Sequence, residues 1–592
     1  MAERSAMHRV LVIQELLTTI FQFLGEGSQT LRPTLNALVR VCKTFHEPAM
    51  KELWSTQKSL LPIILVLLGG AIQVRDVQPV GYDSDDEDDD DEDEDGRTRV
   101  LYLQRDLNVQ DVELLRRYAL RVRELELDTG YRRYIVDSSI AQAFEDERIR
   151  PLFPRLTKLS WYTRSSRPSL AQFEPFYRVV LAPDVKSIHL KGGLDSRLLS
   201  PIPERCLKVE NITVHDEEEE RYSYDMPPLR DSGFPFGWPQ WCLLMPTLRT
   251  LSLCLFPDGA TSNRSLWRHM PVWSLPIRIL HLETNDVRRA ADFLTNAKLE
   301  YLTSIKIRLT RRPKLPSCEE VEELFKAISD ACCTNKLQKI SIFKAPFHRG
   351  YQSTEIRNKE SHIIRSDVFE PLLKLTDMSK LKIHGPGGWY WDLDDALISQ
   401  LCKTWTRLRT LVLDPNDRWP SKSRITLRTL ESFIRAAPLL TDFGATIDAT
   451  NAPKSEVQRV LRASDGRHQN ALRRLRLDHS QIDSVPNFAA FLCSLFPNVR
   501  GMDAGNSEKR EACFVDRRSS TRETSWSRVA SFLLPFRFFV AQEQLWLMAD
   551  DIADPLARLA ACRAILSKAN ISHPGAAACT THYSSMSEGV PA

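Results

Sequence analysis

A short apolar unit recurs along the middle of the chain, and it limits the folds open to this sequence more than any other feature. The unit is an apolar residue, two variable residues, an apolar, one variable and a final apolar. Val122-Arg-Glu-Leu125-Glu-Leu127, Leu156-Thr-Lys-Leu159-Ser-Trp161 and Val185-Lys-Ser-Ile188-His-Leu190 are clear copies. Further copies start at Val209, Leu248, Ile277, Leu302, Leu337, Met378, Leu408 and Leu472, with weaker ones at Leu440 and Val499. The starts lie about 31 residues apart on average, a period of stacked-repeat architectures. Within each copy the last two apolar positions are separated by one residue, so they share one face of a short strand.

Helix-like stretches lie between copies. Ser317-Cys-Glu-Glu320 has the spacing of a capping box opening a helix through Ala331, and helices also begin at Asp367-Val368-Phe369, Asp392-Leu393-Asp394 and Thr426-Leu427-Arg428. Several connections run into the next strand through proline, as in Phe153-Pro154-Arg155-Leu156, Met245-Pro246-Thr247-Leu248 and Phe496-Pro497-Asn498-Val499. Strand, turn, helix, proline, strand resembles leucine-rich repeats of an irregular kind, because the asparagine or cysteine that usually follows the last leucine is mostly missing. The resemblance implies an α/β solenoid over 98–505, with a parallel concave sheet and convex helices. An ordinary α/β domain with similar strands is the competing reading.

The N-terminal segment has a different pattern. Ile13, Leu16, Leu17, Ile20, Phe21 and Leu24 recur at helical intervals, then Leu38, Val41, Cys42 and Phe45, and the segment closes on Leu53-Trp54. Small amphipathic helices of this size cannot bury their whole apolar set alone. Residues 8–56 resemble an F-box, which runs from a Glu-Leu-Leu-x-x-Ile-Phe-like helix through Val-Cys-x-x-Phe to Leu-Trp. Gln14 stands where that family usually has proline, and Glu47-Pro48-Ala49 before the closing Leu-Trp looks most like F-box proteins of mushroom-forming fungi. The resemblance implies docking on a Skp-type adaptor, and through it a cullin, by Ile13, Leu16, Leu17, Ile20, Phe21, Leu24, Val41, Phe45 and Trp54. The alternative is a helical cap whose apolar stripe is simply core.

Charge is unevenly spread. Between Asp83 and Asp95 only Ser84 is not acidic, and subtracting those twelve charges from the net +3 leaves the rest of the chain near +15. Such a run is expected to be a solvated linker inside a connector spanning 57–97, with Gly69 to Tyr82 joining the F-box flexibly to the solenoid. Ser84-Asp85-Asp86-Glu87 also fits an acidophilic kinase site.

If the repeat register holds, the exposed strand positions of the solenoid begin acidic (Glu124, Glu126, Asp128), pass through Ser160 and His189, and turn basic at Lys306, Arg308, Lys339, Lys382, His384, Arg474 and Arg476. Exposed lysine and arginine often serve solubility alone. The functional reading is a groove for an unknown substrate protein with an acidic or phosphorylated segment, with which the acidic run would compete in cis.

Chemistry of its own is not expected. There is no Gly-rich phosphate loop, no His-Glu-x-x-His and no Gly-x-Ser-x-Gly, and the thirteen histidines are dispersed without ligand spacing. No cofactor or metal is implied. The Trp389-Tyr390-Trp391 cluster reads as packing rather than a contact surface, and the scattered cysteines as free thiols. With neither a leader nor a membrane span in view, the setting expected is cytoplasmic or nuclear. A helical cap over 506–570 and a disordered tail over 571–592 complete the organisation. The reading that results is a substrate-recognition subunit of a Skp-cullin-F-box ubiquitin ligase, not an enzyme. An F-box scaffold outside a ligase and a basic solenoid binding nucleic acid stay open beside it; a hydrolase is weaker still.

Overall fold

A computed structural model of the chain describes residues 13–26, 32–67, 70–77, 98–128, 134–162 except 145 and 147, 179–191, 201–215, 244–255, 272–309, 315–344, 360–384, 389–413, 423–450, 471–477 and much of 480–503. The acidic run with Ser84, the cap expected over 506–570 and the tail over 571–592 lie outside the described residues. The chain divides into two compact units, Met1–Pro313 with Asp330–Lys336, and Lys314–Ser329 with Leu337–Ala592.

In the first unit every apolar copy becomes a strand of one parallel sheet. Its strands are β1 (Thr56–Gln57), β2 (Glu124–Asp128), β3 (Lys158–Tyr162), β4 (Ser187–Lys191), β5 (Asn211–His215), β6 (Thr250–Cys254), β7 (Ile279–Thr284) and β8 (Ser304–Leu309). They pair in chain order, each parallel to the next. The register places Leu125, Leu159, Ile188, Ile212, Leu251, Leu280 and Ile305 in one row, all of them buried. Alternation turns the residues between them to the open face, as in the half-exposed positions of β4 and β5. The second unit repeats the plan with β9 (Lys339–Lys344), β10 (Lys380–His384), β11 (Thr410–Leu413), β12 (Asp442–Gly444), β13 (Arg474–Arg476) and β14 (Gly501–Asp503). The weaker copies at Leu440 and Val499 thus lead into strands like the others. The fold is an α/β, leucine-rich-repeat-like solenoid.

What replaces the missing asparagine ladder is a backbone stitch. Two successive amides at the start of a strand donate to a single carbonyl of the preceding repeat: Thr157 and Lys158 to Arg123, Glu210 and Asn211 to Lys186, Ser379 and Lys380 to Gln338, Thr441 and Asp442 to Arg409. A hydroxyl often adds a third bond to the same carbonyl, from Thr157 at 3.1 Å, Thr303 at 3.0 Å, Ser379 at 3.1 Å and Thr441 at 2.9 Å. These side chains sit next to the first apolar residue of their copies, so the stitch needs no residue beyond the strand.

The N-terminal helices α1 (Gln14–Glu26), α2 (Arg32–Val41) and α3 (Lys43–Ser55) enclose a small core of Leu17, Phe21, Leu35 and Ala49, with Leu24, Leu38, Val39, Phe45 and Leu53 packed around it. Phe21 and Phe45 meet edge to face at 5.7 Å. This bundle runs into the sheet without a break. The chain leaves α3 directly as β1, the Ser55 carbonyl accepts from the Arg123 amide at 2.8 Å, and Glu47 pairs with the half-buried Arg121 guanidinium at 2.9 Å. Within the stretch read as a connector, 57–97, the structure describes β1, a helical turn at Leu61–Leu65 and the strand Ile72–Val77. That strand pairs antiparallel with Thr98–Leu103, Val77 opposite Thr98, and the two strands flank the segment that carries the acidic run.

Helix starts follow their caps. In α4 (Val109–Ala119) the Asn108 side chain accepts from the Asp111 amide and Asp111 returns the bond, while Arg105 grips the same carboxylate at 2.6 Å. That guanidinium holds the Asp111 carboxyl below the usual carboxylate range. In the second unit Ser317 and Glu320 form the expected capping box at the start of α5 (Cys318–Ala331), with bonds of 3.0 and 3.2 Å. Asp394 caps α6 (Asp395–Thr404) and Thr426 caps α7 (Leu427–Ala436). The helix expected from Asp367 is instead a 3-10 segment, Ser366–Lys374. Pro371 inside it has no amide to donate, which removes an α-helical bond. The Asp395 carboxylate ties α6 to α7, accepting from the Thr426 amide at 2.7 Å, the Thr426 hydroxyl at 2.6 Å and the Thr429 hydroxyl. Trp389 and Trp391 are buried with Phe369, as expected of packing.

Candidate functional site

The apolar stripe of α1 splits into two. Leu17 (1% exposed) and Phe21 (3%) turn into the bundle core, and Leu24 packs against it. Ile13, Leu16 and Ile20 are partly exposed, at 40–44%, and Phe23 is largely exposed, at 71%. These four fall three, four and three residues apart and form one outward line on the helix. Among the remaining residues named for adaptor contact, Val41 is exposed, Phe45 packs on the core, and Trp54 lies 4.5 Å from the ring of Tyr118 on α4. Sequence reading missed Phe23. Its place three residues after Ile20 was the available signal, but the stripe is wide enough to hide which edge faces inward.

The basic residues also separate by environment. In the first unit Arg308 pairs with Glu283 at 3.2 Å, and the same carboxylate meets His215 Nδ1 at 3.1 Å. Glu124 pairs with Lys158 at 3.5 Å. Lys306 lies beside His281 in the register, and His281 and His189 are both pushed below the ordinary histidine range, first by burial and then by a neighbouring lysine. Ser160 is buried, and the Ser187 hydroxyl meets His189 Nε2 at 3.1 Å. The charge on this face is largely compensated internally.

In the second unit the open rows carry more cations than acids among the described residues. Register places Lys339, Lys380, Thr410, Asp442 and Arg474 in one row, and Ser341, Lys382, Val412, Gly444 and Arg476 in the next, where Val412 and Gly444 are buried. His384 follows on β10 beside Phe343. Asp442 lies 3.5 Å from Arg476, and the register carries the rows on to Gly501 and Asp503 of β14, Asp503 falling beside Arg476. Burial, then the charges of Arg476 and Lys380, hold the Lys382 ammonium below its ordinary range. Burial, then the charges of Lys382, Arg476 and Lys380, push His384 down to about 4, so it is a neutral hydrogen-bonding group at neutral pH rather than a cation. Lys380 belongs to this group and escaped the sequence reading, although Lys380, Lys382 and His384 alternate along a single strand.

Among the described residues no cluster of histidine, cysteine, aspartate or glutamate could hold a metal, and no helix is long and apolar enough to cross a membrane. Cys254 is buried, burial pushes the free thiols of Cys206, Cys332 and Cys402 up to about 12, and Cys42 is exposed.

No protein-family model matches the chain, and a search of curated proteins returns no match. Among solved structures it is similar to that of the yeast Rad7 and Elc1 complex, with 12% identity over 68% of this chain and 85% of that chain and a TM-score of 0.30. Similarity to the Drosophila Toll–Spatzle complex covers 65% of this chain and 50% of that one, at 11% identity and a TM-score of 0.31. For PEPR1-AtPEP1 the figures are 66%, 49%, 12% and 0.27. The fold assignment rests on the strand register and the stitch between repeats.

Proposed function

We propose that the chain is a substrate-recognition subunit of a Skp-cullin-F-box type ubiquitin ligase, in which α1 docks on a Skp-type adaptor and the solenoid holds a substrate protein. The observation that carries the reading is the line Ile13, Leu16, Ile20 and Phe23, left partly or largely exposed on a helix whose adjoining edge is fixed in a core. Fully burying an exposed side chain of this size contributes about 1.5–3 kcal/mol, and the area still open on these four is a part of that, so an apolar line left uncovered favours a protein partner. Because α3 continues directly into β1, a partner seated on the bundle would be held in a defined place against the first unit. The chain performs no chemistry; its contribution is proximity, a raised local concentration of substrate beside the ubiquitin carrier.

The test is a pull-down of the purified chain with its host's Skp-type adaptor and cullin, alongside Leu16→Asp/Ile20→Asp. Both substitutions lie on exposed positions, so the variant should fold and lose the adaptor. Substituting Leu17 or Phe21 would instead break the bundle and prove nothing. Equal retention by parent and variant, or binding by neither, would sink the reading. Adaptor retained without cullin would favour a scaffold outside a ligase.

A further inference from the structure

Strands of the first unit are entered through tight turns that lie along one edge of the sheet. In each turn the amide of the first apolar residue of a copy donates to the carbonyl three residues before it: Val122 to Ala119, Leu156 to Phe153, Val185 to Ala182, Val209 to Cys206 and Leu248 to Met245. Donor and acceptor residues are buried, so the two residues between them form the tip. The first tip residue is apolar in all five: Leu120, Pro154, Pro183, Leu207 and Pro246. The turn before Leu302 adds Tyr301. Leu207 is 62% exposed, Tyr301 53% and Leu120 42%. Strands that pair in register start side by side, which sets neighbouring tips about 5 Å apart along the edge. Cations stand behind the tips. The residue after the first apolar one is Arg123, Lys186, Arg249 or Arg278 in four of the copies, and Arg155 shares a tip with Pro154. The stitch holds the backbones of the first four, and all five residues are exposed. Among the described residues none of the five forms an ion pair, whereas Lys208 pairs with Asp184 at 2.6 Å and Arg121 with Glu47. Asp184, Glu210 and Glu300 are the acids described at the same turns and stitch positions, so positive charge prevails.

We propose that this edge of the first unit is a peripheral membrane contact, with Leu120, Leu207 and Tyr301 entering the headgroup region of a bilayer and the five cations meeting the phosphates and carboxylates of anionic lipids. An anionic bilayer answers both features at once. An apolar side chain gains from leaving water at the interface, and each basic side chain beside an anionic leaflet raises binding about fivefold. Turn tips along an edge can rest together on a flat surface, which a concave sheet face cannot do. A nucleic acid is the less fitting occupant. It would use the cations but leave Leu120 and Leu207 idle, and the face of Tyr301, the one aromatic ring on these tips, already holds the Lys336 ammonium at 4.5 Å. A second copy of the same edge would set cation against cation. The contact makes no use of α1, so it stands or falls apart from the adaptor reading.

The test is co-sedimentation of the full chain with vesicles of phosphatidylcholine alone and of phosphatidylcholine with about a third phosphatidylserine, with a single-stranded RNA oligonucleotide as a separate probe. Binding to the anionic vesicles is expected at least about tenfold above the neutral ones, weakening as salt is raised. Arg155→Ala/Lys186→Ala/Arg249→Ala should lose about tenfold or more of that binding, and Arg155→Lys/Arg249→Lys should keep it, because charge is what the surface reads. Leu207→Ser should weaken vesicle binding a few-fold at unchanged charge. These side chains are exposed and the stitch uses backbone groups, so melts followed by circular dichroism should match the parent's. Leu16→Asp/Ile20→Asp should sediment like the parent, whatever it does to the adaptor. Equal binding to both kinds of vesicle, binding to neither, or binding that survives the triple variant would overturn the proposal. So would a Leu207→Ser variant that sediments like the parent, since the apolar tips would then have no part in it. Capture of RNA by a chain that ignores anionic vesicles would give the edge to a nucleic acid instead.

Discussion

Acidification from about pH 7.5 to about pH 5 should remove about 2 kcal/mol of stability from the second unit through His384 alone. The imidazole is pushed down to about 4 in the folded chain, by burial and by Lys382, Arg476 and Lys380. An unfolded histidine titrates near 6.5. The folded state therefore binds fewer protons than the unfolded state between these values, and stability falls as pH falls through that window. Fully expressed, the gap is worth about 3 kcal/mol; at pH 5 the unfolded side chain is almost wholly charged and the folded one still mostly neutral, which leaves about 2. The assay is urea unfolding at the two pH values, followed by tryptophan fluorescence and by hydrogen exchange at the β10 amides, for the parent and for His384→Gln. The glutamine keeps polarity and approximate size but cannot titrate, so the parent should lose about 2 kcal/mol more than the variant on acidification. Other histidines, including His189 and His281 with their lowered affinity for protons, cancel in that difference. An identical acid-induced loss in parent and variant would refute the reasoning, since it would mean that His384 is not held neutral by its surroundings.

Truncating the bundle core with Phe21→Ala should destabilise the N-terminal helices by about 3–5 kcal/mol, whereas Phe23→Ala should change stability by less than about 0.5; thermal melts followed by circular dichroism would separate them. Asp395→Ala leaves Thr426 and Thr429 without their acceptor, and should cost about 1–3 kcal/mol in denaturant unfolding, with faster exchange confined to the starts of α6 and α7. Thr441→Val deletes the hydroxyl arm of one stitch and keeps its two amide bonds, so a loss of about 1 kcal/mol or less is expected from the same measurement.

The strands were legible in the sequence because their signal is strictly local. Leu125 and Leu127 must both face the core, and a spacing of two forces a strand. Helix starts were legible for the same reason, since Ser317, Asp394 and Thr426 bond to amides two or three residues on. What escaped depends on neighbours distant in the chain. Thr56 and Gln57 are polar and match no repeat, yet the partnership with Glu124 and Leu125 makes them β1. Which edge of the α1 stripe faces inward is decided by Leu35, Ala49 and Phe45, and helical periodicity says only that some edge does. In the basic group, the difference between Arg308 and Lys382 lies in Glu283, on a strand 25 residues before Arg308.

The stitch has a consequence for how such a chain changes in length. Val185 and Val209 begin copies 24 residues apart, and Leu337 and Met378 copies 41 apart, yet the later strand of each pair starts with the same two amides on one carbonyl. The docking of one repeat on another is thus insensitive to how much polypeptide lies between them, and doubling such a loop costs only about 0.6 kcal/mol in closure entropy. New segments can be spliced into the connections without resetting any strand, so the spacing between copies is free to drift while the scaffold keeps its register.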